Sequence, residues 1–279
     1  MEEIKKDINL DIAHQVNLIE QEIQKMDSRD ALAKVWKERE ELESLLKQQP
    51  LLLMIAGNIG FGKTTVTAII GTYGKIEEIK EPVDNPLLSL YYEDMNRYSE
   101  RLQLDLINVR LTDMAIKRLK SSDKSVIFDR THYEDTLIFS EVLAQQNLMS
   151  QESLEFCNWY FKMKKSQIES RYGVNLTPDL IVMLQGSMET GWRRVQGRDR
   201  KIEVRDDAGK GVGLSREFYQ ALHNQYEVFP KKLNELYSGP LLILPQDTLE
   251  VADATNSKGQ LYVIRSVKEA LKLINLMAR

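Results

Sequence analysis

Apolar residues recur along this chain in two rhythms. From about Ile8 to Gln48 there is no Gly and no Pro, and Glu, Lys, Gln and Leu dominate. Ile19, Ile23 and Met26 stand at helical spacing, followed by Leu42, Leu45 and Leu46. This predicts helix, in two pieces broken near Asp27–Asp30. Pro50 marks a boundary, and Leu51–Ala56 is an unbroken apolar run with the length of a strand buried on both faces. Similar short runs lie at Ser125–Phe128, Leu180–Leu184 and Leu241–Leu244, with a weaker strand at Ile76–Ile79. Between them, helical periodicity covers Arg97–Lys120, Gln151–Ser170, Glu189–Gln196, Ser215–Tyr237 and Leu261–Met277. Strands alternating with long helices predict an α/β fold, a parallel sheet flanked by helices. Residues 50–279 read as one domain and 1–49 as a helical N-terminal extension. The extension carries no sustained heptad, which leaves open whether it packs on the domain, lengthens a dimer interface or binds something else. Asp206–Gly213, Gly-rich and charged, reads as a mobile loop.

Composition narrows the classes of partner. The 279 residues suffice for one core and an appendage. A net charge of -4 supplies no general basic field for nucleic acid or an anionic membrane, whereas a small anionic nucleotide needs only a local positive pocket. The single cysteine, Cys157, excludes an internal disulfide and a Cys-rich zinc site, and is expected as a buried thiol. There is no long uncharged apolar run, and Met1–Asp11 is charged, unlike a signal peptide. A cytoplasmic location is the resulting expectation.

The run Leu51–Ala56 leads directly into Gly57-Asn58-Ile59-Gly60-Phe61-Gly62-Lys63-Thr64-Thr65, which satisfies G-x-x-x-x-G-K-[ST] with a strand before it and a helix after it. Glycines let backbone N–H groups turn around phosphate oxygens, and the helix N-terminus adds partial positive charge. Lys63 is placed to bridge the β- and γ-phosphates, and the Thr64 hydroxyl to hold Mg²⁺. The motif alone does not separate a kinase from a GTPase or an ATPase.

Four further segments narrow the reading. Glu81-Pro82-Val83 follows the second strand, Tyr92 and Gln103 flank the start of a long helix, Asp129-Arg130-Thr131-His132-Tyr133-Glu134-Asp135 ends the third strand, and Arg194, Arg198 and Arg200 cluster before the Gly-rich loop. In this order and spacing, over roughly Leu51–Phe229, the chain resembles the deoxyribonucleoside kinase family, and in motif style its bacterial deoxyadenosine/deoxyguanosine members. The resemblance implies a P-loop kinase with a five-stranded parallel sheet, acting on the 5′-hydroxyl of a deoxyribonucleoside with ATP as donor and Mg²⁺ as cofactor. It implies Glu81 as general base, Asp129 and Arg130 on the metal and phosphates, and Asp135 with Gln103 and Arg110 at the base. It implies Tyr92 and Glu203 at the sugar 3′-hydroxyl, and the three arginines on a lid at about residues 194–214. Thr131 replaces the family serine, and Val204–Leu214 looks like an insertion. Arg110 and Asp135 together favour a purine or cytosine base, with a lean to deoxyadenosine, and the family implies a homodimer. The alternatives are a thymidine or nucleoside-monophosphate kinase, and a non-catalytic nucleotide-binding regulator; Glu81 and the arginine cluster argue against a pure switch.

Overall fold

A computed structural model describes residues 2–79, 85–197 and 214–277. Five parallel strands, β1 (Leu52–Gly57), β2 (Glu77–Ile79), β3 (Val126–Asp129), β4 (Leu180–Gln185) and β5 (Leu241–Pro245), lie side by side in the order β2-β3-β1-β4-β5. The expected five-stranded parallel sheet is therefore present. Helices α1 (Glu2–Gln24) and α2 (Ser28–Gln48) precede it. Helix α3 (Lys63–Gly74) follows β1, and α4 (Pro86–Glu93) and α5 (Met95–Lys120) follow β2. After β3 come a π-helical turn (Asp135–Ser140), α6 (Glu141–Gln145) and α7 (Gln151–Tyr172). Helices α8 (Met188–Gln196) and α9 (Arg216–Leu233) lead to β5, and α10 (Ser257–Met277) follows it.

Every residue of β1 and β3 is buried, because helices cover both faces of the sheet. On one face Leu52, Met54, Val126, Phe128, Ile181 and Met183 join a core supplied by α5, α7 and α9. On the other, Leu53, Ile55, Ile127, Val182 and Leu242 meet α3, α10 and both N-terminal helices. The extension thus supplies core residues to the second face. Ile8, Ile12, Val16, Ile19 and Ile23 form the buried stripe of α1, and each such side chain removed from water contributes about 1.5–3 kcal/mol. Helix α2 is capped by Asp27, whose carboxylate accepts from Arg29 N at 2.7 Å and Asp30 N at 2.9 Å. Lys268 of α10, almost fully buried, ties this layer together by ion pairs to Glu38 and Glu41 of α2, and Arg265 reaches Glu22 of α1 at 2.9 Å.

Most predicted helix ends fall within two residues of those observed, and two differ by four. Helix α9 stops at Leu233 rather than Tyr237, shortly after Pro230, which cannot donate within the helix. Helix α10 begins at Ser257, four residues before the periodic apolar run starts. Cys157 is a buried thiol as expected, and burial, the largest cause, pushes its pKa up to about 11.

Candidate active site

In the strand order, the chain leaves β1 toward β3 and β2 on one side and returns to β4 and β5 on the other. The carboxyl end of β1 is therefore the switch point where open α/β sheets bind ligands. The phosphate-binding loop occupies it. Gly62, the residue before α3, has φ 85° in the left-handed region, and a Cβ there would lie 2.4 Å from Ala252 Cβ. Gly60, also at φ 85°, would set a Cβ 2.4 Å from Gly191 O, so any side chain at either position would displace the loop. Asn58 Oδ1 accepts from Ile59 N at 2.8 Å, and the Tyr219 hydroxyl of α9 donates to Ile59 O at 2.7 Å. Lys63 is buried, its Nζ donating to Gly57 O at 2.7 Å and Asn58 O at 3.0 Å. Thr65 follows in the first turn of α3.

β3 delivers the second half of the site. Ile55 pairs with Asp129, which places the Asp129 carboxylate beside the start of α3. Thr64 Oγ1 donates to Asp129 Oδ2 at 2.6 Å, while Asp129 Oδ1 is buried and has no hydrogen-bond partner among the described residues. A hydroxyl and a carboxylate with a spare oxygen, next to a phosphate cradle, are the donor set Mg²⁺ takes when nucleotide phosphates complete its shell. The residues present therefore fit the ion. No group of three or more His, Cys, Asp or Glu side chains gathers elsewhere among the described residues.

Arg130 follows at φ 86°, a left-handed conformation that costs a non-glycine residue about 1–3 kcal/mol, and its N–H donates to Ile55 O at 3.0 Å. Its guanidinium is buried, lies over the Phe139 ring with its carbon 4.7 Å from the centroid, and donates to Glu134 at 3.2 Å and to the Tyr226 hydroxyl of α9 at 3.0 Å. Burial, then the Glu134 charge, hold the Tyr226 hydroxyl well above its ordinary range, so it stays protonated.

Two of the residues expected at the base, Arg110 and Asp135, come together. Arg110 of α5 grips Asp135 through Nε to Oδ2 at 2.8 Å and Nη2 to Oδ1 at 3.3 Å. Asp135 taken alone would read as a solvated helix-start residue; it does open the π-helical turn, but it is 1% exposed. Burial raises its carboxyl above the usual value, against the pull of Arg110. Gln103, two turns earlier on the same buried face of α5, has an amide oxygen without a hydrogen-bond partner among the described residues. Tyr92, at the end of α4, is buried beside Tyr91, their ring centroids 5.2 Å apart.

Of the three clustered arginines, Arg194 of α8 is half-buried and donates to Gln246 after β5. Glu81, Arg198, Arg200, Glu203 and the Gly-rich loop lie outside the described residues. The sequence reading singled out neither Glu134 nor Tyr226 and Gln246. Glu134 stands inside the quoted motif, whereas nothing in the local pattern marks the other two.

A profile of deoxynucleoside kinases matches residues 53–272. A deoxyadenosine kinase of Lactobacillus acidophilus is 27% identical over 226 residues, covering 80% of this chain and 97% of that protein. A deoxyadenosine/deoxycytidine kinase of Bacillus subtilis is 26% identical over 207 residues, covering 74% and 87%. Among solved structures, deoxyadenosine kinase from M. mycoides, with products dCMP and a flexible dCDP bound, superposes with a TM-score of 0.54 at 26% identity, covering 77% of this chain and 97% of that one. The profile spans the phosphate loop, the β3 acid and arginine, and the Arg110–Asp135 pair, and the chain is a phosphotransferase that belongs to the deoxynucleoside kinase family.

Proposed function

We propose that this enzyme transfers the γ-phosphate of ATP to the 5′-hydroxyl of a deoxyribonucleoside bearing a purine or cytosine base, with deoxyadenosine favoured. The observation that carries the reading is the buried face of α5, where the Arg110–Asp135 pair stands with the Gln103 amide, whose oxygen is unpartnered among the described residues. An amide both donates and accepts, which suits the edge of adenine or cytosine, where an exocyclic amine adjoins a ring-nitrogen acceptor. Arg110 offers only donors and holds Asp135 charged and fixed. The names of the bacterial relatives, deoxyadenosine and deoxyadenosine/deoxycytidine kinases, support the same bases.

In the proposed reaction the backbone N–H groups of Gly57–Gly62, with Asn58, Lys63, Thr64 and Thr65, hold the triphosphate. Thr64 and Asp129 would hold Mg²⁺, which neutralises charge on the transferring group. Glu81, two residues beyond β2 in sequence, takes the proton of the 5′-hydroxyl as its oxygen attacks the γ-phosphorus and the bond to the β–γ bridging oxygen breaks, releasing ADP. Arg130 steadies the acceptor end and the developing charge, and Arg194, Arg198 and Arg200 close over the phosphate oxygens bidentately. Tyr92 and Glu203 hold the sugar 3′-hydroxyl. The catalytic domain in this proposal spans residues 50–279 with its lid at 194–214, and the enzyme works in the cytoplasm. No helix among the described residues is long and apolar enough to cross a membrane.

The proposed homodimer would cover the exposed, stacked rings of Phe156 and Trp159 on α7, whose centroids are 5.5 Å apart. Light scattering of the Trp159→Glu variant checks this, with a shift to monomer expected. The decisive assay for function is phosphate transfer from ATP to each of deoxyadenosine, deoxyguanosine, deoxycytidine and thymidine, beside Glu81→Gln. Monophosphate from a purine or cytosine nucleoside, lost in the variant, is expected. Preference for thymidine would sink the base assignment, and no transfer to any of the four, with ATP still bound, would sink the acceptor.

A further inference from the structure

We infer that Glu134 is a positioning residue that fixes Arg130 and couples it to the phosphate loop and to α9. The inference rests on the phosphoryl-transfer reading and deepens it.

The Glu134 carboxylate is fully buried and accepts five hydrogen bonds. Oε1 accepts from Gly57 N at 3.2 Å, Arg130 Nη1 at 3.2 Å and the Tyr226 hydroxyl at 2.5 Å. Oε2 accepts from Thr131 N at 2.7 Å and Thr131 Oγ1 at 3.0 Å. The donors come from three separate parts of the chain. Gly57 opens the phosphate loop, Arg130 and Thr131 form the exit from β3, and Tyr226 belongs to α9, which also holds the loop through Tyr219 and Ile59. The Tyr226 hydroxyl donates to Glu134 and accepts from Arg130, closing a triangle around the guanidinium.

Two physical requirements meet at this carboxylate. A buried guanidinium needs a counter-charge, and an unpaired one costs several kcal/mol. Asp129 is hydrogen-bonded to Thr64 and Asp135 to Arg110, while Glu134 touches Arg130 directly. The left-handed backbone at Arg130 must also be held in place, and Glu134 does so by capturing the next N–H, that of Thr131. Gly57 N–H, Arg130 and Thr131 N–H can only donate, and they fall on both oxygens, so a carboxylate with two accepting oxygens is what satisfies them. In Glu134→Gln one oxygen becomes an amide NH₂ that must face either Thr131 N–H or the Gly57 and Arg130 donors on the other side.

The test is a double-mutant cycle on ATP-dependent transfer, with Glu134→Gln, Arg130→Met and the double variant. Displacing a group at the reacting centre by about 1 Å costs roughly 100-fold. Glu134→Gln is therefore expected to lower kcat by about that factor. Because Glu134 acts through Arg130, the double variant should be no slower than Arg130→Met alone. Losses that multiply, or an unchanged kcat in Glu134→Gln, would overturn the inference. Should Glu134→Gln fail to fold, Tyr226→Phe, which leaves the carboxylate in place and removes one donor, takes its place in the cycle with a smaller expected loss. A readout without turnover separates this inference from the functional reading. In a ¹⁵N-arginine spectrum, the resonance absent from Arg130→Met should be sharp and protected from exchange in the wild type and lost or exchange-averaged when the carboxylate contact is altered. An unaltered Arg130 resonance in those variants would defeat the positioning role even if no nucleoside were phosphorylated.

Discussion

Removing Arg110 tests the buried pair at the proposed base site through its electrostatics. In Arg110→Met the Asp135 carboxyl, 1% exposed, loses a bidentate partner. Burial already raises its pKa and Arg110 is the largest opposing influence, so the variant is left with the raising cause in command. The carboxyl then takes up a proton on folding. An unfolded aspartate titrates near 3.9, so protonating it at pH 7 costs about 1.4 kcal/mol for each of roughly three pH units, about 4 kcal/mol in all. The sign follows. The folded variant binds the proton and the unfolded chain does not, so its stability falls as pH rises above about 4. At pH 5 the same cost is about 1.5 kcal/mol. The assay is urea unfolding at pH 7 and pH 5 of Arg110→Met and of Arg110→Met with Asp135→Asn. The second variant serves as the reference because His132, held neutral in the folded chain by burial with Lys165 and Arg110 nearby, is protonated in the unfolded chain within this window and adds its own pH dependence. The single variant should gain about 2.5 kcal/mol relative to the double on going from pH 7 to pH 5. A difference between them that does not change with pH would show that Asp135 remains ionised without Arg110, and the account of a dry, coupled pair would be wrong.

Three further outcomes follow from other parts of the molecule. Asp129→Asn keeps the shape beside Thr64 but removes the charge on the unpartnered oxygen. It should raise the Mg²⁺ concentration for half-maximal transfer by roughly 10–100-fold, and a titration with unchanged midpoint would remove Asp129 from the proposed metal site. His132 is buried against the rings of Tyr133 and Phe161 with neither nitrogen hydrogen-bonded among the described residues; desolvation, then Lys165 and Arg110, hold its pKa well below the ordinary value. Its contribution is complete above about pH 6.5 and is lost at up to about 1.4 kcal/mol per pH unit as pH falls below that, so His132→Phe should flatten the pH dependence of the unfolding midpoint between pH 6.5 and 5. Lys268→Met leaves Glu38 and Glu41 without their shared cation at the α2–α10 contact, but both carboxylates reach solvent. A loss of about 1 kcal/mol in thermal or urea unfolding is expected, and a loss above about 3 kcal/mol would show that the pair is desolvated.

The parts of this fold that were legible in the sequence share a cause, as do those that were not. β1, β3, β4 and β5 announced themselves as apolar runs because each is covered from both sides, β5 at one sheet edge included, whereas β2, three residues long with Glu77 exposed and none of the three fully buried, gave only a weak signal. The stripe of α1 was legible as helix but not as to its partner, since an apolar face states that it must be covered and not by what. Helix α4 escaped the periodic reading because it has only eight residues, although Asn85, whose side chain accepts from Leu87 N at 2.9 Å, and Pro86 at its first turn are ordinary start signals. The phosphate loop could be read locally because its chemistry is local: glycines, lysine and threonine act within nine consecutive residues. Asp135 and Glu134 could not. One is buried because Arg110, 25 residues earlier, pairs with it, and the other because Gly57 and Tyr226, 77 and 92 residues away, turn their donors toward it. Adjacent acidic residues in one motif thus acquire different tasks from partners the motif does not contain. A carboxylate placed by distant donors is visible only once the sheet order has brought those donors together, which is why Arg130 could be singled out from the sequence while the residue that holds it could not.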